Sequence, residues 1–139
     1  MPDLPLCAQL AGRTLLALCV DDNPAILKLL ERILHRAGIR TLNTACGCEA
    51  VRLALQYYPD IMLLDVTLPD IDGYEVMKAL ARLSPVAPPP AVLVTGRLGN
   101  DDERRWQFAG AAGFIAKPFT DEQVLEAVER AARKALVSL

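Results

Sequence analysis

Hydrophobic and polar positions alternate along this chain between two kinds of segment. Five short, largely apolar runs stand at Leu15–Val20, Ile39–Thr44, Ile61–Leu64, Ala91–Val94 and Gly113–Ile115. They have strand length and no strict alternation, the pattern of parallel strands buried on both faces. Helix-length segments with a 3.6-residue period lie between them. The first is predicted over Pro24–Ala37, with Ile26, Leu27, Leu30, Ile33 and Leu34 on one face, Asn23 as its cap and Pro24 at the first helical position. A second is predicted over Glu49–Tyr58. A third follows Asp72, an N-cap with Glu75 three residues on, and runs to Leu83. A fourth follows Asn100, with Glu103 repeating that spacing. The fifth follows Thr120, with Gln123 as box partner and Val124, Leu125, Val128, Ala131 and Ala132 as its apolar face.

These segments make five βα units with no internal repeat. Such alternation predicts a parallel sheet with helices on both faces, a doubly wound α/β fold. Pro85 and Pro88–Pro90 form a stiff connector ahead of the fourth strand, because proline cannot continue a helix. Residues 1–12 carry two prolines and little pattern, and are expected to form a short N-terminal arm before a single domain over 13–139. Only Leu136–Leu139 follow the fifth helix, so no output domain is expected within these residues.

Composition narrows the picture. A chain of 139 residues fits one domain, and 53% hydrophobic residues supply a real core, which argues against disorder. Fifteen basic and 17 acidic residues leave a net charge of -2, so nothing suggests direct nucleic-acid binding. Leu15–Val20 is far too short to span a membrane. Arg13 followed by Leu15–Cys19 has a superficial likeness to a lipoprotein signal. The large Leu18 before the cysteine and the acids directly after Val20 speak against it, and a buried strand of a cytoplasmic protein is expected instead.

The cysteines are Cys7, Cys19, Cys46 and Cys48. Structural zinc wants four ligands at paired spacings, whereas Cys46-Gly47-Cys48 stands alone and His35 lies in another segment. Free thiols are expected, and the CxC has no physical explanation in the sequence.

In a doubly wound sheet, ligands bind at the carboxyl ends of the strands. Asp21 and Asp22 follow the first strand, Asp65 the third, Thr95 and Gly96 the fourth, and Lys117 and Pro118 the fifth. Three gathered acids repel one another and invite a divalent cation. Mg²⁺ suits an all-oxygen set and commonly shares carboxylates with a phosphate. A carboxylate can also carry a phosphoryl group as an acyl phosphate. Lys117 supplies the charge, Thr95 a hydroxyl, and Gly96 leaves room for the incoming group.

At these positions the chain resembles a receiver domain of the two-component response-regulator family, of the chemotaxis-regulator kind. The resemblance covers Thr14 to Leu136. Its marks are Val20-Asp21-Asp22, Leu63-Leu64-Asp65, Leu68-Pro69 with Asp72-Gly73, Thr95-Gly96, and Lys117-Pro118-Phe119, all in order on matching strand ends. It implies a five-stranded flavodoxin-like (βα)5 fold with strand order 2-1-3-4-5. It also implies Asp65 as phosphoacceptor, and a Mg²⁺ site from Asp21, Asp22, Asp65 and the Thr67 carbonyl, with Asp22 direct and Asp21 mainly through water. Thr95, Gly96 and Lys117 would stabilise the phosphoryl group. Thr95 and Phe114 would form the switch, and Lys117–Pro118 is the expected cis peptide.

The implied partners are a histidine kinase or histidine phosphotransfer protein as donor, then a downstream protein, an output domain or a second copy. The surface of the fourth helix, fifth strand and fifth helix would change on phosphorylation. Ala25–Leu29 lies where the family docks its donor. Thr67 and Arg97 flank the expected path of attacking water and tune the lifetime of the phosphoryl group. The chain would not be an enzyme beyond assisting its own phosphorylation and dephosphorylation.

Plainer readings stand beside these. An Asp-Asp pair alone is commonly a solvated turn. Trp106 reads as packing more readily than as an interface anchor. His35 has no partner in the sequence, and Lys28, Glu31, Arg32 and Arg36 read as a solvated helix face. Two rival functions follow: a docking module of the same fold that ignores phosphorylation, and a phosphatase of the haloacid-dehalogenase kind. The latter wants an acid two residues after its nucleophile, where this chain has Thr67.

Overall fold

Alternate residues of each central strand belong to opposite faces of one sheet. The computed structural model, which describes residues 14–96 and 110–137, orders them as β1 (Leu16–Val20), α1 (Pro24–Arg36), β2 (Arg40–Thr44), α2 (Gly47–Tyr57), β3 (Ile61–Leu64), α3 (Gly73–Leu83), β4 (Ala91–Thr95), β5 (Gly113–Ala116) and α4 (Asp121–Val137). The five strands are parallel, in the order β2-β1-β3-β4-β5. That is the expected doubly wound arrangement. The helix predicted after Asn100, with Trp106 on it, lies outside the described residues, as do the N-terminal arm, Cys7 and Arg97. The fifth predicted helix is therefore α4.

Two apolar layers cover the sheet. Ala17 and Cys19 of β1, Ile61 and Leu63 of β3, Val92 and Val94 of β4 and Ile115 of β5 pack against α1 and α4. Leu18 and Val20, Met62 and Leu64, and Ala91 and Leu93 face α2 and α3 instead. Both faces are buried, so the runs read as continuously apolar. Each fully buried Leu or Val contributes roughly 1.5–3 kcal/mol over leaving it exposed. β2 departs from the expectation of strands buried on both faces: it is an edge strand, and Arg40 and Asn43 are exposed. With a neighbour on one side only, it tolerates polar side chains that a central strand would not.

Among the described residues the predicted caps form. Asn23 accepts from the Ala25 N–H at 2.9 Å, with Pro24 at the first helical position. Asp72 and Glu75 make a reciprocal capping box. Thr120 and Gln123 do the same at the head of α4. α2 differs: it starts at Gly47, ahead of the predicted Glu49, and its N-cap residue Cys46 makes no side-chain cap. The missing acceptor comes from Asp70, whose carboxylate takes the Gly47 and Cys48 N–H groups at 2.7 Å each. A cap supplied from 22 to 23 residues away leaves no trace in the local spacing, which is why the sequence pattern placed the start late.

Candidate functional site

Three backbone bonds carry the sheet ladder one step past the strand ends, and each fixes a residue of the site. Asp21 N–H donates to the Thr44 carbonyl, Asp65 N–H to Val20, and Lys117 N–H to Thr95. The side chains of Asp21, Asp65 and Lys117 thereby project from the ends of β1, β3 and β5 onto one edge. The Lys117 ammonium donates to Asp21 Oδ2 at 2.6 Å and to Asp65 Oδ2 at 3.1 Å. Asp21 Oδ1 accepts from Asn23 N–H at 2.9 Å, and Asp65 Oδ1 accepts from Thr67 N–H at 3.1 Å. Both oxygens of each buried acid are therefore engaged. The shorter contact of Lys117 is with Asp21, a direct tie that the sequence did not disclose.

Asp21 is 1% exposed and Asp65 5%, whereas Asp22 stands in solvent. Burial pushes the Asp65 carboxyl above the usual carboxylate range. The Thr67 N–H and Lys117 oppose that rise, and the neighbouring Asp21 charge reinforces it. For Lys117, burial works against the ammonium, but hydrogen bonds to Asp21 and Asp65 outweigh it and raise the group above its ordinary value. The site thus holds one cation firmly and one carboxylate under electrostatic pressure.

Oxygens of Asp21, Asp22 and Asp65 lie within 4.8 Å of one another. An all-carboxylate set of mixed exposure fits a hard, partly hydrated cation such as Mg²⁺. Asp21, Asp22 and Asp65 are the groups that would hold it.

Thr95 closes β4 and is buried, and Gly96 after it is exposed, with no heavy atom of the described residues beyond its chain neighbours within 4 Å of where a Cβ would stand. Phe114 lies on β5 opposite Leu93, half-buried against the layer of α2 and α3. The Lys117–Pro118 peptide is cis. His35 bonds Thr41 at 3.0 Å and Glu31 accepts from Asn43 at 2.8 Å, tying α1 to the sheet edge.

The loop after Asp65 is closed by a bond from Gly73 N–H to the Val66 carbonyl at 2.9 Å. A Cβ at Gly73 would stand 2.6 Å from the Asp65 carbonyl oxygen, so only glycine permits α3 to start this close to the end of β3. Asp70, on the same loop, was not singled out by its sequence context. Its partners are backbone N–H groups of another element, which no side-chain pattern reveals.

Known proteins agree with this geometry. Residues 17–129 match the family model described as the response regulator receiver domain. A curated relative, the polar-differentiation response regulator DivK of Brucella ovis, is 32% identical over 110 residues, covering 79% of this chain and 89% of the relative. Among solved structures, a CheY-like response regulator receiver domain protein from Methanospirillum hungatei superposes with a TM-score of 0.81 at 27% identity, covering 91% of this chain and 99% of that one. The chemotaxis response regulator CheY4 of Vibrio cholerae gives a TM-score of 0.78 at 28% identity, covering 85% and 98%.

Proposed function

This chain belongs to the response regulator receiver domain family, and from that premise we propose that it is a phosphorylation-operated switch with Asp65 as acceptor. The observation that carries the reading is the buried Asp65 carboxylate held by Lys117 beside a second buried acid. A histidine kinase or histidine phosphotransfer protein is the donor. An Asp65 oxygen forms the O–P bond as the N–P bond to the donor imidazole breaks, and the departing nitrogen keeps the electron pair. Mg²⁺, when bound, supplies positive charge shared between the acids and the phosphoryl oxygens.

The chain's own groups do the rest. Thr67 N–H and Lys117 orient the carboxylate before transfer. Lys117 then pairs with a phosphoryl oxygen, and the Thr95 hydroxyl donates to another. The added charge, roughly -1.5 to -2, draws Thr95 and Lys117 together. Phe114 turns toward the space behind Thr95, and the surface of β5, α4 and the predicted fourth helix is remodelled. A partner protein, an output domain or a second copy reads that surface. The event is a population shift between two packings.

The domain spans 13–139 after a short arm and works in the cytoplasm; among the described residues no helix is long and apolar enough to cross a membrane. Its only chemistry is assisting its own phosphorylation and dephosphorylation. The alternative is a docking module of the same fold that is indifferent to phosphorylation.

Intact-mass analysis after incubation with acetyl phosphate and Mg²⁺, beside Asp65→Asn and a metal-free control, separates the two. One phosphoryl group is expected, absent in both controls. No adduct even at short times would leave the docking module.

A further inference from the structure

Cys46-Gly47-Cys48 sits at the head of α2, outside the acid site. Cys46 is the N-cap residue, half-buried, and Cys48 is exposed at the second helical position. No disulfide joins them. Gly47 is the only residue between them. Helical geometry at Gly47 sets their Cα atoms about 5.4 Å apart, inside the range of about 4.4–6.8 Å that a disulfide spans. Residues two apart on a helix do not face each other, however, so joining the sulfurs requires the backbone of this turn to move. A Cβ at Gly47 would meet the Ile71 side chain at 2.6 Å and its carbonyl oxygen at 2.8 Å, so the residue between the two cysteines is pressed against the loop that follows Asp65.

Asp70 binds this turn through two backbone groups. Its carboxylate accepts from Gly47 N–H and Cys48 N–H at 2.7 Å each, and its place beside Cys48 raises that thiol above its ordinary range. The first turn of a helix has no intrahelical partners for its N–H groups. Asp70 is what anchors it to the loop that follows Asp65.

We propose that Cys46 and Cys48 form a reversible thiol–disulfide site, and that its oxidised form and the Asp70 clasp exclude one another. Joining the sulfurs swings Cys48 away from Asp70 and unwinds the capped turn. That frees the carboxylate and loosens the segment between Asp65 and α3. The oxidant is a low-molecular-weight disulfide. The Cys48 thiolate attacks one of its sulfurs and expels a thiolate. The Cys46 thiolate then attacks the Cys48 sulfur and expels the second. The two protons lost by the cysteines return to the two leaving thiolates. A disulfide this exposed and constrained is readily reduced, which suits a reversible signal. Cys19 takes no part: it is fully buried, and burial pushes its thiol up to about 12.

Oxidised glutathione is the probe, followed by alkylation and peptide mass mapping, in the wild type and in Asp65→Asn. The peptide holding Cys46 and Cys48 is expected to lose about 2 Da in both, and to recover on reduction. Cys46→Ser should stop at a glutathione adduct on Cys48. Asp70→Asn should form the disulfide several-fold faster. Hydrogen exchange at Gly47 and Cys48 should accelerate on oxidation. Stable single adducts in the wild type, or a disulfide with those amides still protected and no faster in Asp70→Asn, would overturn the proposal. Because Asp65→Asn undergoes the same thiol chemistry, this outcome is separate from that of phosphoryl uptake.

Discussion

Asp65 and Asp70 lie on one loop, and their carboxyl groups titrate in opposite directions. Asp65 is buried beside another acid, and its carboxyl is pushed up. Asp70 is exposed and collects backbone N–H groups from Cys48 and Gly47, which hold its carboxyl well below the usual range. One carboxylate is disfavoured where it sits and the other is favoured. The difference lies in desolvation and partner count, since the residue type is the same. A disfavoured carboxylate next to a lysine is poised for chemistry, and a satisfied one in solvent is a fastener.

The contrast is sharpest in reactivity. Asp65→Asn is expected to abolish phosphoryl uptake from acetyl phosphate, while Asp70→Asn still gains one phosphoryl group by intact mass. Uptake in Asp65→Asn equal to wild type would erase the distinction. Stability effects come next. Gly73→Ala forces a Cβ against the Asp65 carbonyl and should cost about 2 kcal/mol in urea unfolding. Lys117→Met leaves Asp21 and Asp65 facing each other without a cation. It should cost about 2 kcal/mol, below the usual buried-pair figure because the ammonium is partly exposed, and millimolar Mg²⁺ should restore part of the loss.

Smallest are two pH profiles of opposite sign. The raised carboxyl of Asp65 means that its ionised form opposes folding above its folded pKa, and that this penalty is absent in acid. Asp65→Asn should therefore raise Tm by a few degrees at neutral pH, with the gain vanishing as pH falls through the Asp65 titration. The lowered carboxyl of Asp70 means that its contribution is present above the ordinary carboxylate range and lost as pH falls through its folded value. Asp70→Ala should lower Tm by a few degrees at neutral pH, with the cost vanishing in acid. Two profiles of the same sign would show that burial does not separate these groups.

The sequence disclosed what depends on local order. Strand ends carrying Asp21, Asp65, Thr95 and Lys117 were visible because apolar runs stop there. The boxes at Asp72 and Thr120 were visible because both partners lie within one turn. The cap at α2 was hidden because Asp70 is 22 to 23 residues from the N–H groups it binds. The short Lys117–Asp21 contact was hidden for a like reason: spacing along the chain names which groups meet at an edge, not which pair approaches closest. The exposed side chains of β2 follow from its place at the sheet edge, which only the assembled order reveals.

Lys117 is separated from Asp21 by 96 positions and from Asp65 by 52. During synthesis the acids leave the ribosome well before the lysine does. A chain stalled or clipped ahead of β5 has Asp65 but not the Lys117 ammonium that holds it. The set of groups around Asp65 is therefore complete only once the last strand has formed.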